Sequence, residues 1–305
     1  MIEIHELFKS YGDTQAVAGL SFDVAEGEIF GLLGPNGAGK TTTISIIAGL
    51  LAPDSGTVRV GGLDIRKDGR RVRGMLGVVP QEIALYEELT GRENLHFWGG
   101  LYGLRGGALR AGAERVLELV GLAERADDRV REYSGGMKRR LNLSAGLIHK
   151  PRVILLDEPT LGIDPQARIN ILDIVRNGDS EGMTAIYTTH YLEEAEKLCD
   201  RIAIVDRGKI LAEGTLAELE KLAGEGNLVT IKGGFTRELM SPLLAGTKVE
   251  HLEDGTLRVQ VSGQSELGAV LTRIFSAGMR VEDVSIKEPS LEGVFIKLTG
   301  RDLRD

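Results

Sequence analysis

Gly34-Pro35-Asn36-Gly37-Ala38-Gly39-Lys40-Thr41 is the stretch with the clearest chemistry. Its glycines let backbone N–H groups curl around a dense anion, and the helix expected from Lys40 to Ala48 adds its positive N-terminal end. Lys40 supplies a mobile charge for the β- and γ-phosphates, Thr41 a hydroxyl for Mg²⁺, and Thr42 a further donor. The pattern predicts binding of a nucleoside triphosphate. Asp157 and Glu158 close the apolar run Val153–Leu156. In enzymes with such a loop, an acidic strand end holds the metal, which suits Asp157. Glu158 beside it can orient or deprotonate the attacking water. Gln81 follows the strand end Gly77-Val78-Val79-Pro80, where an amide can reach Mg²⁺ or water. His190 ends Thr184–Thr189 and brings an imidazole to the expected γ-phosphate. Ser134-Gly135-Gly136 opens another helix and forms a second anion site at its N-terminus. One triphosphate cannot readily fill both cradles of one chain, so the second points to a second subunit.

These residues need rigid elements beneath them. Ile29–Leu33, Val153–Asp157, Thr184–Thr189 and Ile202–Val205 are continuous apolar runs between helical patterns, which predicts α/β architecture with a mostly parallel core sheet covered on both faces. Segments around Ile2–Tyr11, Leu20–Val24 and Thr57–Val60 alternate and predict a small antiparallel sheet. From about 82 to 150 the pattern turns helical. There Ala113, Val116, Leu117 and Val120 share a face, and Gly121 is placed as a C-cap. A first domain is expected over 1–222, closed by a helix that the Thr215/Glu218 capping box starts. Gly224-Glu225-Gly226 reads as a linker. A small α+β domain is expected over 227–305, in the order strand, helix, two strands, helix, strand, helix, which suggests a split βαβ layer. Its first long helix carries the stripe Leu267, Val270, Leu271, Ile274 and Phe275.

Composition narrows the function classes. The 305 residues carry a net charge of −8, which argues against a general nucleic-acid binder, although Lys138-Arg139-Arg140 is a short basic run. The single Cys199 makes no internal disulfide and is expected to be a buried thiol, on the apolar side of a helix with Leu192, Ala195 and Leu198. No apolar run reaches the roughly 20 residues of a membrane helix, and Met1–His5 lacks the features of a secretory signal. The expectation is a cytoplasmic protein that meets a membrane only through a partner.

Taken together, these motifs resemble, over about Met1 to Leu222, the ATP-binding subunit of an ABC transporter. Gly34–Thr41 is similar to Walker A, Gln81 to the Q-loop glutamine, Val153–Glu158 to Walker B with its catalytic glutamate, Leu161–Asp164 to the D-loop and His190 to the switch histidine. Tyr133-Ser134-Gly135-Gly136-Met137 resembles the signature motif, with Tyr133 where leucine usually stands. The resemblance implies a P-loop NTPase fold, ATP and Mg²⁺, and catalysis by Glu158, His190 and Lys40. Nucleotide contacts fall to Tyr11 (stacked on adenine), 34–42, Gln81 and Asp164, and metal contacts to Thr41, Gln81 and Asp157. It also implies a head-to-tail homodimer or pseudo-dimer in which Ser134, Gly135 and Gly136 act on the partner's nucleotide. A separate membrane permease would dock near Gln81–Asn94, at Tyr86, Leu89 and Thr90, so that the chain sits on the cytoplasmic face of the membrane. The tail Glu288–Gly300 is similar to that of ABC-2-type exporter ATPases, which include drug and sodium exporters. The alternative is a soluble ABC ATPase acting on DNA or ribosomes; those classes carry long coiled coils or two cassettes in one chain, and this sequence has neither. The transported substrate lies outside what this chain encodes.

Overall fold

A computed structural model describes residues 1–177, 183–223, 227–244, 247–262, 264–287 and 290–299. Its contacts divide the chain into two compact units, Met1–Gly214 and Thr215–Leu303.

In the first unit, β1 (Ile2–Tyr11), β2 (Thr14–Val24), β4 (Ser55–Val60) and β5 (Leu63–Asp64) form an antiparallel sheet in the order β2-β1-β4-β5. The core sheet runs β10-β9-β3-β8-β7-β6, from β3 (Ile29–Leu33), β6 (Leu76–Val79), β7 (Val153–Asp157), β8 (Thr184–Thr189), β9 (Arg201–Asp206) and β10 (Lys209–Gly214). Every pairing from β6 to β9 is parallel, and only the β9–β10 hairpin is antiparallel. Every residue of β3, β7 and β8 is buried, as continuous apolar runs under helices require. Around this sheet lie α1 (Lys40–Ile47), α2 (Gly69–Met75), α6 (Pro165–Asn177) and α7 (Leu192–Leu198).

The helical insertion consists of α3 (Gly91–Leu101), α4 (Gly106–Leu119) and α5 (Gly135–Leu147). Thr90 starts α3 with a capping box closed by Glu93. The predicted face Ala113, Val116, Leu117 and Val120 is buried. Gly121 ends α4 at φ +65°, where its N–H donates to the Glu118 carbonyl and that of Leu122 to the Leu117 carbonyl.

The second unit opens with α8 (Leu216–Ala223), started by Thr215 and Glu218 as the sequence predicts. Sequence reading placed this helix in the first domain, yet it packs on α11 (Leu291–Thr299) of the second. The compact division therefore falls after Gly214, ahead of the expected boundary at Leu222. The remaining elements are β11 (Asn227–Gly233), α9 (Arg237–Met240), β12 (Lys248–Glu253), β13 (Thr256–Val261), α10 (Gln264–Ser276) and β14 (Val281–Lys287). They build an antiparallel sheet in the order β12-β13-β11-β14. Strand β13 lies between the parallel pair β11 and β12, which is the expected split βαβ. Leu267, Val270, Leu271 and Ile274 pack into its core, but Phe275 is exposed because it falls at the edge of the helical stripe. The linker Gly224–Gly226 and the tail beyond Thr299 lie outside the described residues.

Candidate functional site

The phosphate loop joins β3 to α1, and its shape depends on two glycines at close approaches. A Cβ on Gly34 would lie 2.2 Å from the Val205 carbonyl oxygen, and one on Gly39, at φ +101°, 2.2 Å from that of Ala16. Any side chain at either position would push the loop off the strands that hold it. Lys40 is buried at the start of α1, and its Nζ donates to the Gly34 and Pro35 carbonyls at 2.6 and 3.1 Å. The same Nζ lies 3.1 Å from Glu158 Oε1, and burial pulls the ammonium below the ordinary lysine range although Glu158 opposes this.

Thr41 Oγ1 donates to Asp157 Oδ1 at 3.2 Å, and Thr188 Oγ1 to the same oxygen at 2.7 Å. Glu158 holds a left-handed backbone at φ +44°, a strained conformation for a glutamate. The β8 strand pins it there, since its N–H donates to the Thr188 carbonyl and hydroxyl. Its Oε2 lies 3.1 Å from His190 Nδ1, so one carboxylate bridges the loop lysine and the histidine at the end of β8.

Lys40, Thr41, Glu158 and His190 line a cavity of about 590 Å³ with Tyr11, Asn36, Gly37, Ala38, Gly39, Thr42 and Gln81, whereas the expected site residues Gly34, Pro35 and Asp157 do not line it. Tyr11, which also lines this cavity, is half-exposed. Ser134, Gly135, Gly136 and Asp164 do not line it. Ser134 Oγ accepts from the Met137 N–H as the N-cap of α5, and Asp164 Oδ1 accepts from the Ala167 N–H at the start of α6. Gly136 sits against that second turn, since a Cβ there would be 2.9 Å from the Ala167 methyl.

Three supporting residues escaped sequence reading. Thr188 reads as one more strand residue. Glu194 is fully buried and accepts from the hydroxyls of Thr160, Tyr187 and Thr189 at 2.6, 2.9 and 2.7 Å, with Arg168 3.4 Å away. Arg139 corrects the expected basic run: its guanidinium turns inward and donates to the carbonyls of Gln81 and Leu161, tying α5 to both loops. Nothing in the residue order marks it apart from Arg140. Cys199 is packed beside Gly31, and burial drives its thiol far up, away from reactivity.

A second cavity of about 330 Å³ is apolar and lies between β6 and the helical insertion, lined by residues that include Leu50, Pro80, Ala84, Trp98 and Tyr102. Tyr86, Phe97 and Trp98 make successive edge-to-face contacts nearby. Among the described residues, no helix is long and apolar enough to cross a membrane.

Residues 17–161 match the ABC transporter family, and residues 214–299 match the C-terminal domain of DrrA1-3-like ATP-binding proteins. The chain is similar to the linearmycin resistance ATP-binding protein LnrL of Bacillus subtilis, at 44% identity over the whole of both chains. It is also similar to the daunorubicin resistance ATP-binding protein DrrA3 of Streptomyces coeruleorubidus, at 42% identity over 97% of this chain and 95% of that one. The Nod factor export ATP-binding protein I of Paraburkholderia xenovorans is 41% identical, over 100% and 98%. The solved ATP-binding subunit of an ABC transporter superimposes with a TM-score of 0.67 at 30% identity, over 73% of this chain and 93% of that one. A dimeric ATP-binding cassette in a post-hydrolysis state, bound to ADP and Pi, gives 0.64 at 26% identity, over 70% and 98%. This chain belongs to the ATP-binding subunits of ABC transporters, and it is an ATPase with a P-loop fold.

Proposed function

We propose that the chain hydrolyses ATP between two head-to-tail subunits and drives export through a separate membrane permease. One observation carries the reading. Lys40, Thr41, Gln81, Glu158 and His190 line one cavity, while Ser134 and Gly135, the second phosphate cradle, stand exposed outside it. A partner's exposed cradle completes the site, which explains why one chain has two.

In this reading the loop N–H groups and Lys40 bind the β- and γ-phosphates, and Tyr11 stacks on adenine. A phosphate competes with Glu158 for the Lys40 ammonium and so frees the carboxylate. Glu158 then takes a proton from water as the water oxygen bonds to the γ-phosphorus and the bond to the β–γ bridging oxygen breaks, leaving ADP and inorganic phosphate. His190 holds Glu158 and faces the γ-phosphate. The oxygens of Thr41, Asp157 and Gln81 suit a hard cation: two of them already meet at 3.2 Å, and Gln81 lines the same cavity. Mg²⁺ bound there would neutralise charge on the phosphate oxygens. Asp164, against the start of α5, would reach across the dimer in this reading.

The apolar cavity beside β6 supports a docking site for a permease helix, close to the segment expected from sequence. The chain would then lie on the cytoplasmic face of the membrane. The relatives named for resistance and for Nod factor export favour export, with the cargo recognised by the permease. Co-expression with a candidate membrane permease tests this. Copurification that Ala84→Arg abolishes, with ATP binding retained, is the expected result. An ATPase that never copurifies with a membrane protein, and whose Ala84→Arg form is unchanged in cells, would refute the transport reading.

A further inference from the structure

We propose that Glu194 is a positioning residue for hydrolysis: its buried carboxylate locks the turn that carries His190 to the segment that runs from Glu158 to Asp164. The proposal rests on the reading that His190 faces the γ-phosphate. Glu194 is 1% exposed on α7, and its two oxygens serve two different segments. Oε1 accepts from Thr160 Oγ1 at 2.6 Å and lies 3.4 Å from Arg168 Nε. Thr160 follows soon after Glu158, and the Arg168 N–H donates to the Asp164 carbonyl. Oε2 accepts from Tyr187 Oη at 2.9 Å and from Thr189 Oγ1 at 2.7 Å. Thr189 Oγ1 accepts in turn from the Tyr191 N–H at 2.9 Å, so this hydroxyl ties together the residues on either side of His190. The Tyr191 ring centroid lies 4.2 Å from that of His190, and the Arg168 guanidinium covers the same ring at 4.4 Å.

The sheet itself does not supply this link. The β7–β8 ladder has its last pair at Asp157 and Thr188, and the Glu158 N–H makes one more bond to the Thr188 carbonyl. Beyond it the two segments part, one toward Asp164 and the other toward Tyr191. Yet Glu158 Oε2 meets His190 Nδ1 at 3.1 Å, a contact between side chains from both. A core that needed only filling would take an aliphatic residue at 194, since a buried carboxylate costs desolvation that its partners must offset. An aliphatic residue cannot hold two segments at fixed hydrogen-bond lengths. Glu194 does so from within the core, where Thr160, Tyr187 and Thr189 are each at most 1% exposed. It does not line the nucleotide cavity, so its influence on the reaction passes through His190. Misplacing a group at the site by about 1 Å is enough to cost about 10²-fold in rate.

ATP turnover of the full-length chain, with and without His190→Ala, tests the proposal. Glu194→Gln and the near-isosteric Thr160→Val should each lower kcat by about tenfold to a hundredfold and leave KM for ATP within about twofold. Thr160→Ser, which keeps the hydroxyl, should restore most of the rate. In the His190→Ala background the same changes should cost less than about twofold, because the group they position is gone. A purely structural role would instead multiply the two losses. Thermal melts identify a variant that fails to fold, and Thr160→Val carries the test if Glu194→Gln is such a variant. Losses that multiply, a Thr160→Val chain at the parent's rate, or a Thr160→Ser chain as slow as Thr160→Val overturns the proposal. A His190→Ala chain at the parent's rate removes His190 from the chemistry, and this proposal with it. A slow His190→Ala chain whose losses multiply with those at 160 and 194 overturns this proposal alone.

Discussion

The two phosphate cradles of this chain are built by opposite means. The loop at Gly34–Thr41 is held by close backbone contacts, a buried lysine, and a strained glutamate fixed to the neighbouring strand. The cradle at Ser134–Gly136 is only the capped first turn of α5, with Ser134 and Gly135 exposed. One half is organised by the chain itself, and the other, in the proposed head-to-tail dimer, is finished by a second molecule. The contrast is physical. Reactive groups must be placed to within fractions of an ångström, which takes buried, cross-linked support. A helix N-terminus offers its N–H groups wherever the helix is carried.

The largest expected effect separates chemistry from binding. Glu158→Gln removes the proton acceptor, so turnover should fall by about 10²–10⁴. Nucleotide affinity should hold and an ATP-bound dimer should accumulate, which phosphate release and gel filtration will show. Turnover at the original rate would remove Glu158 from the chemistry.

The exposed cradle comes next. A side chain at Gly135 meets nothing within 4 Å, so Gly135→Asp should fold and bind ATP as the parent does. It brings negative charge to the partner's γ-phosphate, and turnover should fall by about 10² or more. Mixed with Lys40→Ala it should regain part of that activity, because one of the two composite sites is then intact. No recovery on mixing would show that both cradles act within one chain.

Glu194 probes the support of the organised half. Glu194→Ala leaves three buried hydroxyls without their acceptor and Arg168 without its ion-pair partner, and should lower stability by about 2–4 kcal/mol in chemical denaturation. Glu194→Gln, which keeps an acceptor oxygen, should cost less. Equal losses would mean that the negative charge, and not shape or a single acceptor oxygen, sets the value of this residue.

The smallest effect lies at the far end of α5. His149 stacks on Tyr102 and its Nε2 meets the Leu76 carbonyl, and burial lowers its pKa to about 4 from 6.5. The folded state keeps this ring neutral, so the stability present above pH 6.5 is lost as pH falls toward 4. The loss should be on the order of 1–3 kcal/mol and should be smaller in His149→Gln. Exchange of α5 amides for deuterium should rise in acid before that of α1. A uniform rise would mean that the two halves are not independently anchored.

Much of this was legible in the residue order, because the chemistry uses short local patterns. The phosphate loop and the acidic strand end occupy consecutive residues, and the βαβ periodicities that present them are also local. The cap of α4 at Gly121 was readable for the same reason. Arg139, Thr188 and Glu194 were not, since Arg139 and Thr188 resemble their neighbours in type and meet partners tens of residues away, and Glu194 gathers hydroxyls from β8 and from Thr160 only once the sheet is assembled. The place of α8 was equally hidden. Its capping box says where the helix starts, but only its packing on α11 assigns it to the second unit. Sequence alone determined which groups could bind and cleave a triphosphate, because residue type and spacing define those groups. Tertiary structure decided that Glu158 is bridged to both Lys40 and His190, and that Ser134–Gly136 stands outside the cavity. Those facts depend on strands and helices distant in the chain meeting in space.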